Sequence, residues 1–525
     1  MLRILCYLTI SGLVAVACQT APSETEAPRP NILFAIADDA SFPHMGAYGC
    51  TWVNTPGFDR VAENGLLFMN AYTPNAKCAP SRSCILTGRN SWQLEEAANH
   101  VPFFPDKFTT FMESLDENGY FVGHTAKGWA PGKVGERNGK KRQLTGPAFN
   151  DKKTDPPAEH ISNNDYAENF RDFLTAKPDS LPFCFWYGST EPHRRYEYGV
   201  GIEKGGKQLS DLDDVPEFWP ENDTVRTDML DYAFEIEYFD QHLTKMLDML
   251  EKAGELANTI VIVTADNGMP FPRVKGQAYE LSNHLPFAIM WPDGIQQPGK
   301  KIDDYVSFID IAPTLMELAQ VAPEVSDMET MQGRSLSYFF GGQSADTAAW
   351  DHVLIGKERH DVGRPHDQGY PIRGIVKNNY LYIQNYDPDR WPAGNPETGY
   401  LNTDGSPTKT WILNHRQVLD GEQYWSMNFG KRPIEEFYNI SDDPDCVRNL
   451  AYDPEVAPIM ESMKNQMLAE LKAQGDPRMF GRGEIFDEYV YANEDSRGFY
   501  ERYMEGEELN AGWVNPNDFE EEKLD

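Results

Sequence analysis

Cys78 opens the run CAPSRSCILTGR, in which Pro80, Ser81, Arg82, Leu86, Thr87, Gly88 and Arg89 stand at fixed offsets behind it. That is a crowded pattern for chance. On a helix starting near the cysteine, Arg82 shares the face of Cys78; the plain alternative is a surface arginine. An isolated free cysteine is usually a small buried hydrophobe, so the companions carry the reading. Two further pairs offer oxygen donors: Asp38–Asp39 after NILFAIA and Asp266–Asn267 after TIVIVTA. Such groups are hard ligands, suited to Ca²⁺ or Mg²⁺ and not to a soft metal. A lone acidic pair is more often a turn or a cap. Here both pairs close apolar runs, which favours one shared metal site.

The elements that must position these groups follow from the hydrophobic pattern. Asn31 to Asp39 is a continuous apolar run ending in two acids, the pattern of a buried parallel strand. A helix is predicted from Pro56 to Phe68, with Phe58, Val61, Leu66 and Leu67 on one face, and a second closes through Phe111, Leu115 and Gly119. Tyr120 to Thr125 reads as a strand, residues 130 to 160 as a long surface loop, and FCFWYGST (183–190) as a buried strand. Asp228 to Ala253 is a long amphipathic helix, and TIVIVTADNG a β-branched strand. This alternation predicts a doubly wound α/β sheet. Ligands of such sheets bind beyond the carboxyl ends of the strands, where the two acidic pairs can converge. Beyond about residue 350, IRGIVKNNYLYIQNY reads as antiparallel strands and Val456 to Ala473 as a helix. The expected domains are a leader (1–17), a tether (18–29), the main α/β domain (30–350) and a smaller α+β C-terminal subdomain (351–525). Its acidic stretch from Tyr503 either wraps the surface or frays.

The totals narrow the partners. The 525 residues carry a formal net charge of −35, which excludes nucleic acid, since a phosphate backbone needs clustered Lys and Arg. Any anionic substrate then needs positive charge concentrated locally against that field. Seven cysteines at irregular spacing make neither a disulfide framework nor a zinc set. Cys6 and Cys18 fall in MLRILCYLTISGLVAVAC, a signal peptide by length and flanks. Ala15-Val16-Ala17-Cys18 resembles a bacterial lipobox, with Ala15 where leucine is usual. The expectation is a lipidated Cys18 and a periplasmic or cell-surface protein, held to the membrane by the lipid alone; simple secretion is the alternative.

The run around Cys78 is similar, position for position, to the signature of the formylglycine-dependent (type I) sulfatases. The resemblance implies an alkaline-phosphatase-like fold. It implies that a formylglycine-generating enzyme oxidises Cys78 to 3-oxoalanine, whose hydrate attacks sulfur and then collapses to release sulfate. One Ca²⁺ would sit on Asp38, Asp39, Asp266 and Asn267, acting as a Lewis acid. Arg82 would hold the hydrated aldehyde and Asp266 would help to deprotonate it. Lys127, in GYFVGHTAKGW, corresponds to the family's sulfate-binding lysine. His193, in STEPHRR, corresponds to a histidine that contacts sulfate or protonates the leaving oxygen, and Lys275 to a further cation on sulfate. Trp129 stands where many relatives carry a histidine, which leaves the base for sulfate release to His193 or His124.

The resemblance runs from Asn31 through DIAPTLMELAQV and MQGRSL to PIEEFYNISDDPDCVRNLA. RNSWQLEEAANH and ERHDVGRPHDQGYPIRGIVKNNYLYIQNY are most similar to the branch of heparan N-sulfatase and bacterial polysaccharide sulfatases. His100, His360 and Arg364, with Glu95, Glu96 and Arg390, are the candidates for binding sugar. The implied substrate is a sulfated carbohydrate, with an algal polysaccharide such as ulvan as one candidate and N-sulfoglucosamine as the alternative. Phosphoryl transfer is disfavoured by the single ligand quartet. A non-catalytic polysaccharide-binding protein has only Trp129 in its support.

Overall fold

The computed structural model describes residues 29–342, 349–418, 421–521 and 523–524; the leader, Cys18 and most of the tether lie outside them. Seven strands form the main sheet: β1 (Asn31–Ala37), β2 (Leu66–Tyr72), β3 (Phe121–Ala126), β4 (Phe183–Gly188), β5 (Thr259–Ala265), β6 (Phe287–Met290) and β7 (Lys300–Ser307). Their order is β3-β4-β1-β5-β6-β2-β7. β3, β4, β1 and β5 are parallel neighbours. β6 is antiparallel to both β5 and β2, and β2 returns to parallel pairing with β7.

Successive residues of β1 feed opposite layers, as the pleat requires. Leu33, Ala35 and Ala37 pack into one core, and Ile32, Phe34 and Ile36 into the other. Five helices matter for the site: α1 (Pro56–Glu63), α2 (Cys78–Thr87), α3 (Phe111–Glu117), α4 (Tyr166–Ala176) and α5 (Asp223–Ala253). α5 starts where the Asn222 side chain accepts from the Val225 N–H and stops at Gly254, whose φ of 72° a side chain disfavours. Among the described residues no helix is long and apolar enough to cross a membrane.

The helix expected over Pro56–Phe68 ends at Glu63. Leu66 and Leu67 instead open β2, opposite Ile289 and Ala288 of β6. Gly65 explains the stop: a Cβ there would lie 2.0 Å from the Ile289 carbonyl oxygen, so the chain can close on β6 only without a side chain. The 130–160 loop holds one minimal hairpin, Glu136–Arg137 with Lys140–Lys141.

A second, antiparallel sheet follows in the order β8 (His352–Lys357), β9 (Ile372–Lys377), β10 (Tyr380–Asn385) and β11 (Glu435–Asn439). α6 (Ala457–Ala473) covers it through Met463, Met467 and Leu471, which meet Ile375, Tyr382 and Phe437. The acidic stretch after Tyr503 docks. Ala511, Val514 and Phe519 pack with Leu401, and Asp518 forms an ion pair with Lys409 at 3.1 Å in which both side chains are wholly buried.

Candidate active site

The end of β1 and the start of α2 meet at the carboxyl edge of the sheet. β1 releases Asp38 and Asp39, and the Asp39 N–H donates to Asp266 Oδ1 at 3.1 Å, which ties the ends of β1 and β5 together. Cys78 is the first residue of α2, where unpaired N–H groups and the helix dipole favour negative charge. Its thiol is 2 % exposed and donates to Asp38 Oδ1 at 3.6 Å and Asp39 Oδ1 at 3.9 Å. Arg82, one turn on and fully buried, donates Nε to Asp266 Oδ2 at 2.8 Å and Nη1 to the Lys127 and Gly128 carbonyls. Lys127, just past β3, clasps both oxygens of Asp38 at 2.7 and 2.6 Å. Lys275 reaches Asp39 Oδ2 at 2.6 Å and Asp404 Oδ2 at 2.8 Å. His193 donates Nδ1 to the Arg194 carbonyl at 2.7 Å, which leaves Nε2 facing Asp39 Oδ2 at 3.9 Å.

Nine residues named from the sequence thus converge: Asp38, Asp39, Cys78, Arg82, Lys127, His193, Asp266, Asn267 and Lys275. Their charges interlock. Burial pushes the Asp38 carboxyl up, but Lys127, His193 and Arg82 together outweigh it and leave it at about 2. Burial and the Asp38 charge push Asp266 up, against Arg82. Burial also drives the Cys78 thiol well up, with Lys127 opposing. A plain thiolate is therefore disfavoured as a nucleophile at neutral pH. Lys275 lies well above the usual lysine value, because Asp39 and Asp404 outweigh its burial.

The donor set fits a hard divalent cation. Ligand atoms of Asp38, Asp39, Cys78 and Asp266 all lie within 4.8 Å of one another. Asn267 donates Nδ2 to Asp39 Oδ1 at 2.7 Å, while its buried Oδ1 has no hydrogen-bond partner. An orphaned carbonyl oxygen beside three buried carboxylates costs free energy that a Ca²⁺- or Mg²⁺-class ion would recover.

Trp129 is absent from this cluster: its indole Nε1 donates to the Ser83 hydroxyl at 2.8 Å and its ring packs edge-on against Phe104. It braces α2 through Ser83. His124 bonds the Gly146 carbonyl at 2.8 Å and has no contact with the carboxylates. Of the proposed sugar-binding residues, His360 bonds the Gly276 carbonyl at 3.1 Å, next to Lys275, and Asn75 Oδ1 at 2.8 Å. His100 donates Nδ1 to Asp361 at 2.9 Å, and its buried Nε2 has no partner. Arg364 lies farther along the wall, against the Trp391 and Pro392 carbonyls. Glu95 pairs with Lys107 and Arg390 with Asp487.

Three residues of the site were missed. Asp404 is 5 % exposed and joins Asp39 and His193 in a second acidic group. Lys275, Lys77 and His193 overcome the effect of burial and hold it well below the usual carboxylate range. Lys77 pairs with Asp361 at 2.9 Å. Adjacency to Cys78 could have flagged Lys77, whereas Asp404 sits in a turn sequence, TDGSP, with no local signal.

A doubly wound sheet that presents a carboxylate cluster, paired cations and a shielded cysteine at its carboxyl edge defines an enzyme acting on a small oxyanion. The chain belongs to the sulfatase family, and it is a sulfate ester hydrolase. The Sulfatase domain matches residues 30–321, and "N-sulphoglucosamine sulphohydrolase, C-terminal" matches residues 274–392. An ulvan-active sulfatase of Formosa agariphila is 27 % identical over 85 % of this chain and 81 % of its own length. The human N-sulphoglucosamine sulphohydrolase is 26 % identical over 83 % of this chain and 89 % of its own. A solved structure in complex with its substrate D-glucosamine-2-N,6-O-disulfate superposes with a TM-score of 0.62. It is 19 % identical and covers 86 % of this chain and 99 % of that one. The fold is thus alkaline-phosphatase-like, as the sequence implied.

Proposed function

We propose that this sulfatase hydrolyses sulfate esters on a sulfated carbohydrate, with residue 78 converted from cysteine to formylglycine. The observation that carries the reading is the meeting of Cys78 with Asp38, Asp39, Lys127 and Lys275 at one buried point. Formylglycine supplies there what no thiol offers: a hydrated aldehyde, one hydroxyl of which attacks sulfur while the other later expels sulfate. Asp38, Asp39, Asp266 and Asn267 would hold one Ca²⁺, which would supply Lewis-acid stabilisation of the sulfuryl group.

The chain's own groups do the rest. Arg82 fixes the Asp266 carboxylate, which takes the proton from the attacking hydroxyl. Lys127 and Lys275 offset charge on the sulfate oxygens, in a site dry enough for that to count. His193, whose side chain is 33 % exposed, stands at the mouth and gives a proton to the departing sugar oxygen; Lys275 is the second candidate. With Trp129 and His124 turned elsewhere, His193 is also the histidine left to accept the proton that accompanies sulfate release.

An algal polysaccharide or its oligosaccharides, ulvan among them, is the substrate favoured by the Formosa relative. N-sulfoglucosamine is a second reading, favoured by the C-terminal match over residues 274–392. The same proposal makes Cys18 a lipid anchor and places the enzyme in the periplasm or at the cell surface, with the formylglycine-generating enzyme as its maturation partner. Peptide mass spectrometry of protein made with that enzyme is expected to find the aldehyde at residue 78. Sulfate release from O-sulfated algal oligosaccharides and from N-sulfated glucosamine then separates the substrates. Unmodified Cys78, with undiminished activity in Cys78→Ala, would falsify the mechanism.

A further inference from the structure

Lys357 and Arg364 are as deeply buried as the catalytic cluster, at 0 % and 1 % exposed. Among the described residues, however, neither has a carboxylate within ion-pair distance. Lys357 Nζ donates to the Pro392 carbonyl at 3.1 Å. Arg364 donates Nε to the Trp391 carbonyl at 2.8 Å and Nη2 to the Pro392 carbonyl at 3.0 Å. Their hydrogen bonds are met by neutral acceptors, and their charge faces the Tyr370 ring, at 5.5 and 6.0 Å from its centroid, with no ion pair to either. Burial and the neighbouring Arg390 bring the Arg364 guanidinium down to about 10.

Arg364 lines a cavity of about 440 Å³ together with Arg390, Lys431 and Lys523, against the single acid Asp389. Arg390 is already paired with Asp487 at 3.0 Å, but in a chain of net charge −35 the remaining three cations facing one acid are a local reversal of the field. Two hydrogen bonds link the cavity wall to the segments that carry the catalytic cluster. The Pro392 carbonyl that takes Arg364 and Lys357 also accepts from Gln277 Nε2 at 3.4 Å, two residues after Lys275. Asn402, 3.5 Å from Arg364 Nη1, lies two residues before Asp404.

We propose that this cavity is a second anion subsite. It takes a carboxylate or a further sulfate carried on the same saccharide as the scissile group. A buried cation without a counter-ion is costly, and an arriving oxyanion supplies what the fold withholds. The guanidinium fork suits the planar carboxylate and the sulfate face alike. A cavity of this size admits one sugar unit. The subsite rests on the sulfated-carbohydrate reading above and extends it: the preferred substrate carries at least two anionic groups.

The test compares three probes: a sulfated disaccharide bearing a uronate, its carboxyl-reduced form, and a form with a second sulfate in place of the uronate. Each is given to the converted enzyme and to the Arg390→Gln/Lys431→Gln variant, whose changes lie at the partly exposed rim, and to Arg364→Gln. KM and kcat are read from sulfate release. Equilibrium binding is read in parallel on Cys78→Ala versions, which need no turnover. The variants are expected to raise KM and Kd for the uronate probe about tenfold, with kcat moving less than about twofold, the size of one lost charge-assisted contact. The carboxyl-reduced probe should not distinguish the proteins. A parallel loss on the doubly sulfated probe makes the site general for oxyanions, and a loss on one probe alone identifies its source. Equal affinities for all three probes, or the same loss on the carboxyl-reduced probe, would overturn the subsite. If the binding pattern holds but no probe releases sulfate, the subsite stands and the proposed reaction fails.

Discussion

Two walls of one crevice handle buried charge in opposite ways. At the ends of β1 and β5, Asp38 is clasped by Lys127, Asp39 by Lys275 and Asp266 by Arg82. On the wall that starts at the end of β8, Lys357 and Arg364 are buried as deeply and are given carbonyls and the Tyr370 ring in place of carboxylates. On the first wall each of these carboxylates has its own cation before any saccharide arrives, which holds the cluster around Cys78 in register. The second carries an excess that only a ligand can cancel. Burial alone therefore says little about purpose; the company a buried charge keeps says more.

The comparison is most severely tested by one substitution made on each wall. Lys275→Met leaves Asp39 and Asp404 buried without their shared cation, and unfolding by urea should show a loss of about 3–5 kcal/mol. A loss below about 1 kcal/mol would mean the first wall is not electrostatically held. Next in size, calcium at about 100 times its Kd should stabilise the protein by about 2.7 kcal/mol, and Asp266→Asn should abolish the gain. Melting curves indifferent to both calcium and chelator would break the metal assignment.

On the second wall the sign should reverse. Burial, then Arg364 and Lys77, hold Lys357 well below the usual lysine range. The folded chain therefore holds the ammonium proton less tightly than the unfolded one, and the wild type is penalised below the unfolded pKa. Lys357→Met should stabilise by about 1–2 kcal/mol at pH 7, and the gain should fade as pH rises toward about 10.4. A destabilised variant would show that the lysine is compensated after all. The smallest effect belongs to the brace behind α2. Trp129→Phe removes the indole bond to Ser83 and should cost about 1 kcal/mol, measurable as a shift in denaturation midpoint.

Much of the first wall could be read from the sequence because its residues sit where strands end. Apolar runs closed by Asp38–Asp39 and Asp266–Asn267 announce both strand and ligand, and a shared edge then implies convergence. The same logic failed over Leu66–Phe68, which opens β2 instead of closing α1. There, short apolar runs suit helix and strand equally well, and the deciding contact, Gly65 against Ile289, is more than two hundred positions away in sequence. The antiparallel insertion of β6 was invisible for the same reason, since nothing local distinguishes the direction of a four-residue strand. Asp404 was missed because a turn sequence does not reveal what a long-range fold brings to it. The second wall gave only residue types. That Arg364 is buried without an acid is a property of packing, which no spacing rule reports.

The buried pair of Lys409 and Asp518 has a consequence in time. Lys409 also donates to the carbonyls of Gly399 and Thr403, each at 2.9 Å, just ahead of Asp404. The turn that delivers Asp404 to Lys275 is therefore fastened by a residue translated long after Cys78. Until Asp518 has left the ribosome, that side of the crevice lacks its clasp. The maturation enzyme proposed above would have to reach a thiol 2 % exposed in the finished fold, and it would have that interval in which to work.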